Sequence, residues 1–305
     1  MASSGLTCIL NCSSGSCSGP ELREQLSRIF AEIGTPARIL LAPSGGQVSE
    51  LARRAVQENS QIIVAGGGDG TLNAVATEIL GTSIPLGVLP LGTWNHFAKD
   101  LRIPQDLEGA ARTLLTGHAV PVDVGEVNGR IFLNNSSLGI YPRMVRRREE
   151  QQKQGRHKWL AFIQASLSVL RHYSLLRVCL HLDGKDLWRK TPFVFIGNNQ
   201  YEMEGLNIGG RRRLDAGELC LFVANRAGRL DLVRLAFLAL FGLLNEASDL
   251  DVLMSRQFSI ETRRSHASVS TDGEVHKMNT PLNYLIRPGA LRVIVPVENA
   301  TESSA

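Results

Sequence analysis

The sequence predicts an N-terminal α/β domain over residues 1–121 followed by an all-β domain over 122–298, and three observations carry that reading. In the first segment, short apolar strand runs alternate with runs of helical period, which builds a parallel sheet with helices on both faces, a three-layer arrangement. From Val122 onward, short strands follow one another around turns such as Asn128-Gly129 and Asp183-Gly184, the signature of antiparallel hairpins in a sandwich or barrel. The third is the stretch Ile62 to Val75, in which a buried-strand run meets glycines at 66, 67, 68 and 70 and then a helix.

The elements of the first domain come in order. Thr7–Leu10 is a strand that ends in the polar turn Asn11-Cys12-Ser13-Ser14-Gly15. Pro20 opens a helix with Leu22, Leu26, Ile29, Phe30 and Ile33 on one face, and Gly34 stops it. Ala37–Leu41 is the second strand, and Val48–Glu58 a helix with Val48, Leu51, Ala52, Ala55 and Val56 inward. Gln61–Ala65 feeds the glycine turn, after which Leu72, Val75, Ala76, Ile79 and Leu80 mark a third helix. Pro85–Leu89 is a fourth strand, followed by Pro90-Leu91-Gly92-Thr93-Trp94-Asn95. In a parallel sheet, ligands bind beyond the carboxyl ends of the strands. The turns at Asn11, Gly66 and Leu91 all fall on that edge.

In the second domain, strands are expected at Val122–Val127, Arg130–Asn135, Leu175–Leu182, Lys185–Trp188, Phe193–Gly197, Leu219–Ala224, Gln257–Ile260 and Ala267–Ser270. Helices at about Trp159–His172 and Leu230–Leu244 interrupt them, and residues 299–305 form a frayed tail. A cleft between two domains is a usual home for a substrate.

Composition sets outer bounds. The chain has 305 residues, 43% of them hydrophobic, and a net charge of +4, a mild balance that does not argue for nucleic acid. Its basic residues are not interleaved with an aromatic platform, which also argues against a nucleic-acid partner. The five cysteines, Cys8, Cys12, Cys17, Cys179 and Cys220, are odd in number and fit no zinc spacing, so free thiols in a reducing compartment are expected. The N-terminal apolar run is too short for a signal peptide, and the apolar Leu230–Leu244 stretch is short and carries Asp231 and Arg234. These features indicate a soluble, cytoplasmic protein.

The glycine turn carries the chemistry. Glycines let another group approach the backbone closely, and the first N–H groups of a helix favour an anion. A phosphate-binding turn follows, with a tight ligand-free βα turn as the plain alternative. No Gly-x4-Gly-Lys-Ser/Thr occurs, Thr71 stands where a dinucleotide fingerprint needs glycine, and no protein-kinase motif is present. Asp69 lies inside the turn, suited to a metal- or water-linked role beside phosphates or to capping the helix of Thr71.

Three segments in this order, Gly67-Gly68-Asp69-Gly70-Thr71-Leu72-Asn73, Pro90-Leu91-Gly92-Thr93-x-Asn95-x-Phe97-Ala98 and Asp272-Gly273-Glu274, resemble the diacylglycerol kinase/sphingosine kinase family, within it the bacterial soluble lipid kinases. Asn134-x3-Leu138-Gly139, Gly197-Asn198 and Leu214-Asp215-Ala216-Gly217-Glu218-Leu219 also fit, so the resemblance runs from about Leu6 to Pro296. It implies an N-terminal domain similar to NAD kinase and phosphofructokinase, a C-terminal β-sandwich with nucleotide between them, and Mg²⁺-dependent transfer of the ATP γ-phosphate to a lipid hydroxyl. By the same resemblance, Gly67, Gly68, Asp69, Gly70, Thr71, Leu72 and Asn73 form the phosphate loop. Asn11, Ser13, Ser14, Gly15, Gly92, Thr93 and Asn95 are further nucleotide contacts. Asp272 and Glu274, with Asp69, are the catalytic carboxylates, and either of the first two could be the base. Asp215, with Glu218 and Cys220, falls on a structural Mg²⁺ site. The chain departs from the family at His96 in place of an aspartate, at Cys12 in place of a proline, and at Ala42 in place of a threonine.

A lipid kinase without a spanning helix must meet its substrate at a surface. Arg143, Arg146, Arg147, Arg148, Lys153, Arg156, His157 and Lys158 form one basic stretch and Arg211, Arg212 and Arg213 another, suited either to solvent or to anionic headgroups. Peripheral association with an anionic membrane is therefore expected. The lipid alcohol is diacylglycerol or, alternatively, a sphingoid base, phosphatidylglycerol or a polyprenol. The competing class is a nucleotide- and lipid-binding regulator without catalysis. The oligomeric state stays open, a dimer included.

Overall fold

A computed structural model of the chain describes residues 5–12, 19–139, 175–204, 207–211, 213–224 and 250–297. The chain divides into two compact units, Met1–Asp123 with Gly289–Ala305, and Val124–Pro288. Residues 289–298, placed in the all-β domain from sequence, fall within the first unit by this division. No helix among the described residues is long and apolar enough to cross a membrane.

The first unit contains strands β1 (Leu6–Asn11), β2 (Ala37–Ala42), β3 (Ile62–Gly67) and β4 (Leu86–Pro90), and helices α1 (Gly19–Glu32), α2 (Gly45–Gln57), α3 (Asp69–Ile79), α4 (His96–Asp100) and α5 (Leu107–Thr116). The strands lie in the order β2-β1-β3-β4, all parallel. Apolar residues on consecutive strands, such as Cys8, Ile9, Ile63, Val64, Leu86 and Val88, are buried on both faces, as a covered parallel sheet requires.

Two helices end in the way their sequence dictates. After α1, Gly34 takes φ +75°. Its N–H donates to Ala31 O and that of Thr35 to Phe30 O, the paired bonds that satisfy a helix's last carbonyls. After α2, Asn59 takes the same left-handed role at φ 56°. Helix α5 went unread in the sequence, although Asp106 accepts the Gly109 N–H at 2.7 Å as its N-cap and Ala110, Ala111 and Leu114 face inward.

The strands β5 (His118–Val127) and β18 (Leu282–Val295) each run from one unit into the other. At the first unit's end of both, buried Asp123 accepts the Gly289 N–H at 2.8 Å. Val293 then pairs parallel with Leu86, adding β18 to the edge of the first unit's sheet.

In the second unit, β6 (Arg130–Phe132) forms a hairpin with the end of β5, and β8 (Leu176–Leu182), β9 (Lys185–Thr191) and β15 (Gln257–Thr262) pair antiparallel with one another and with the start of β18. A second sheet joins β7 (Asn135–Gly139), β10 (Phe193–Asn198), β13 (Leu219–Ala224), β14 (Leu250–Ser255), β16 (His266–Thr271) and β17 (Glu274–Asn279) in the order β14-β13-β10-β7-β16-β17. A short pair, β11 (Glu202–Glu204) and β12 (Asn207–Gly210), stands apart. Alternate residues of both sheets, among them Leu138, Val178, Leu180, Val194, Leu221, Phe258, Ile260, Val269 and Tyr284, form one buried cluster, so the open choice between sandwich and barrel resolves as a sandwich. The sequence merged β6 and β7 into one strand. The structure separates them at Leu133-Asn134, and that break holds a key side chain described below. The expected helices at 159–172 and 230–244, the basic stretch 143–158 and the tail lie outside the described residues.

Candidate active site

The carboxyl edge of the first unit's sheet gathers the three predicted turns. Register places Leu10 beside Gly66 and Gly67 beside Pro90, so the ends of β1, β3 and β4 coincide. Asn11 Nδ2 donates to Thr71 Oγ1 at 2.9 Å, tying the first turn to α3. Ser13, Ser14 and Gly15 lie outside the described residues.

Helix α3 begins at Asp69 with Gly68 as its extended N-cap residue, so its first N–H groups face the turn. Two contacts explain the glycines. A Cβ on Gly67 would fall 2.4 Å from Thr71 Oγ1, and one on Gly92 would fall 2.4 Å from Gly68 Cα. The loop after β4 therefore passes directly over the glycine turn, backbone on backbone. Leu72 is wholly buried and serves the core, whereas Asn73 and Gly70 lie toward the surface.

Asn95 shapes that loop rather than offering its side chain outward. It sits at φ 50°, and its Oδ1 accepts the Gly92 N–H at 3.0 Å. Its Nδ2 donates to Pro90 O, Gly92 O and Gln105 Oε1. Thr93 and Trp94 are exposed beside it, and Trp94 stacks flat on His96 with ring centroids 6.0 Å apart. Sequence reasoning did not single out this aromatic surface.

Asp69 does something neither sequence alternative anticipated. Its carboxylate accepts the N–H groups of His96 at 3.2 Å and Phe97 at 3.1 Å, the first residues of α4. It thus caps the next helix. The replacement of the family's aspartate by His96 leaves this bond intact, because only the backbone of residue 96 takes part. Asp69→Ala is expected to lower stability by about 1 kcal/mol, the usual size of a lost cap, measured by denaturant unfolding.

In the second unit, Asp272-Gly273 is a two-residue hairpin turn with φ 47° and 90°, between paired Thr271 and Glu274. The Asp272 carboxylate reaches out of its own hairpin. Oδ2 accepts the Leu133 N–H at 2.7 Å, and Oδ1 accepts those of Asn134 at 2.8 Å and Asn135 at 3.0 Å. This is the break between β6 and β7. Glu274 differs: its side chain is 65% exposed, with His276 Nε2 3.6 Å away. Burial, then the nearby Arg130 charge, holds His276 below its ordinary pKa, so the ring favours its neutral form.

Arg211 belongs to the same support, not to a basic surface patch as its sequence neighbourhood suggested. It is buried, and its guanidinium donates to Leu133 O at 2.8 Å, Asn198 O at 3.0 Å and Asn134 Oδ1 at 2.7 Å, over the Tyr201 ring. Arg211 and Asp272 thus grip the 133–135 segment, one by its acceptors and the other by its amides. Arg211→Ala removes the charged donor shared by three buried acceptors, of which Leu133 O keeps the Asn198 Nδ2 bond, and is expected to cost about 2–3 kcal/mol, read as a lower melting temperature. Arg213 pairs with Asp215 at 3.0 Å, and Arg212 lies outside the described residues.

The expected metal set does not assemble. Asp215 is exposed and engaged by Arg213, and Glu218 offers its backbone carbonyl to the Asn199 N–H. The Cys220 thiol is buried beside Tyr201 and Phe222, and burial pushes its pKa up to about 12, which keeps it protonated. The ligand atoms of the three residues do not converge. An apolar strand position is the reason for Cys220, since alternation along β13 turns its side chain into that small aromatic cluster.

Residues 5–127 match the family model described as the diacylglycerol kinase catalytic domain, and residues 138–295 match that of the YegS C-terminal NAD kinase beta sandwich-like domain. A probable lipid kinase YegS-like of Klebsiella pneumoniae is 36% identical over 137 residues, 44% of this chain and 46% of that protein, so the match spans about half that relative's length. A diacylglycerol kinase of Bacillus subtilis is 26% identical over 283 residues, 91% of this chain and 92% of that one. The fold is shared with the crystal structure of a diacylglycerol kinase from Bacillus anthracis, at a TM-score of 0.71 and 22% identity over 97% of this chain and 98% of that one.

Proposed function

Because the chain belongs to the diacylglycerol kinase catalytic-domain family, a family of lipid kinases, we propose that it transfers the γ-phosphate of ATP to the hydroxyl of a membrane lipid, diacylglycerol in the first place. The observation that carries the ATP assignment is the close passage of Gly92 over Gly68 at the start of α3, backbone against backbone, beside the first N–H groups of that helix. Such a frame suits phosphate oxygens, which need several convergent donors and no side chain in the way. The substrate assignment rests on the names of the relatives.

The residues take distinct roles in this reading. Amides of the turn between Gly67 and Thr71 bind the phosphates, the Thr71 N–H itself closing the turn on Gly68 O, and Asn11 and Asn95 fix the shape of the turns around them. Glu274, exposed and without the amide donors that occupy Asp272, accepts the proton of the attacking hydroxyl. Asp272 positions the hairpin that carries Glu274 through its three amide bonds. Mg²⁺ would neutralise phosphate charge. Asp69, whose carboxylate accepts the His96 and Phe97 amides, offers the only carboxylate within the glycine turn for it or its waters.

The test is ATP consumption by purified protein with vesicles containing, one at a time, diacylglycerol, a sphingoid base, phosphatidylglycerol or a polyprenol. Consumption stimulated most by diacylglycerol supports the reading. Stimulation by another lipid reassigns the substrate, and nucleotide binding with no lipid-stimulated turnover points to a regulator instead.

A further inference from the structure

A second cluster of reactive side chains lies far along the sequence from the glycine turn, on the β8–β9 hairpin. Pairing sets Cys179 opposite Trp188 and Glu261, and His181 opposite Asp186 and Ser259. Val178, Leu180 and Leu182 point into the sandwich core, so strand alternation turns Cys179 and His181 to the other face. Ligand atoms of Cys179, His181 and Asp186 all lie within 4.8 Å of one another. The cysteine fits no sequence spacing for zinc, because here the ligands come from neighbouring positions across three paired strands.

The imidazole is oriented on both sides. Asp186 Oδ1 lies 2.7 Å from His181 Nδ1. Nε2 is shielded from solvent without a hydrogen-bond partner, and Glu261 Oε1 stands 3.7 Å from it. That separation is too long for a hydrogen bond. Two ligand atoms that each lie about 2.0–2.1 Å from a shared tetrahedral ion stand about 3.4 Å apart, so the pair needs to close by only a few tenths of an ångström to share one. A carboxylate on one ring nitrogen, leaving the other as lone-pair donor, is the usual outer support of a metal-bound histidine.

We propose that Cys179, His181 and Glu261, with Asp186 orienting the imidazole, bind one divalent transition-metal ion of the zinc class on the outer face of the β8, β9 and β15 strands. The sulfur, nitrogen and carboxylate donors select such an ion over Mg²⁺ or Ca²⁺, which take oxygen ligands. Water would complete the shell. The ion would staple three strands, and it stands independently of the kinase reading.

Cobalt(II) is the direct probe, because thiolate ligation gives it an intense near-ultraviolet charge-transfer absorption. Full-length protein stripped by a chelator and titrated anaerobically with cobalt(II) is expected to bind one equivalent with that absorption, and zinc(II) is expected to displace it. Cys179→Ser should abolish the band and, like His181→Gln, weaken binding at least tenfold. Asp186→Asn should weaken it by about 10–100-fold, the usual cost of a lost outer partner, and Cys12→Ser should change nothing. Absence of the band in the unaltered protein, or its persistence in Cys179→Ser, overturns the proposal. Should Cys179→Ser fail to fold without metal, Glu261→Gln and His181→Gln decide the matter, because unchanged affinity in both overturns it equally.

Discussion

Gly92→Val is expected to abolish nucleotide binding, with affinity for an ATP analogue falling by about 100-fold or more, some 2.7 kcal/mol. The cause is backbone against backbone. The new Cβ would lie 2.4 Å from Gly68 Cα, which is backbone, and 2.7 Å from Asn95 Oδ1, a side-chain atom held in place by the amide's hydrogen bonds. The loop after β4 must therefore lift away from the start of α3, breaking the frame that presents the amides. Gly68→Val separates the phosphate claim from a simple loss of fold. A Cβ there meets Gly92 Cα at 3.4 Å, ordinary contact, so its melting temperature should stay near that of the unaltered protein while the branched side chain fills the turn. Calorimetric titration with the analogue, beside thermal melts, reads both variants. Unchanged affinity in a folded Gly68→Val protein removes the phosphate-loop assignment.

The second large effect divides the two carboxylates of the β16–β17 hairpin. Glu274→Gln should reduce kcat by about 10²–10⁴-fold, the range for a lost general base, with nucleotide binding and melting temperature preserved because the side chain is largely exposed. Asp272→Asn should instead lose stability. Its single amide oxygen cannot serve Leu133 on one side and Asn134 and Asn135 on the other, so an NH₂ group must face a backbone N–H. That mismatch costs about 1–3 kcal/mol. The opposite pattern, a stable but inactive Asp272→Asn beside an active Glu274→Gln, would exchange the two roles.

Much of this was legible from residues in order. The alternation of strand and helix up to Leu89 gave the parallel sheet, because each helix carries its own apolar face and the first its own stop at Gly34. The glycine turn was legible because close backbone approach leaves glycine as its mark. What escaped was non-local. Nothing near Asp69 in sequence says that it caps a helix 27 residues on. Nothing near Arg211 says that it is buried, since three consecutive arginines read as surface until the acceptors at Leu133, Asn134 and Asn198 are in place. Strand β18 was missed because its mid-strand Pro288-Gly289 reads as a break, whereas it is the point at which the chain returns to the first unit. The side chains of Asp215, Glu218 and Cys220 do not converge among the described residues, and a motif match carries no information on which way a strand residue points. Helix α5 is different: its cap and its apolar face were both visible at Asp106, Ala110 and Leu114.

One transfer decides between a lipid kinase and every alternative. Protein incubated with γ-labelled ATP, Mg²⁺ and vesicles containing diacylglycerol should pass the label into the lipid phase as phosphatidic acid, identified by mass, and Glu274→Gln should pass almost none. Label that reaches only water, or a lipid phase that stays unlabelled across every lipid alcohol tried with folded protein, would contradict it.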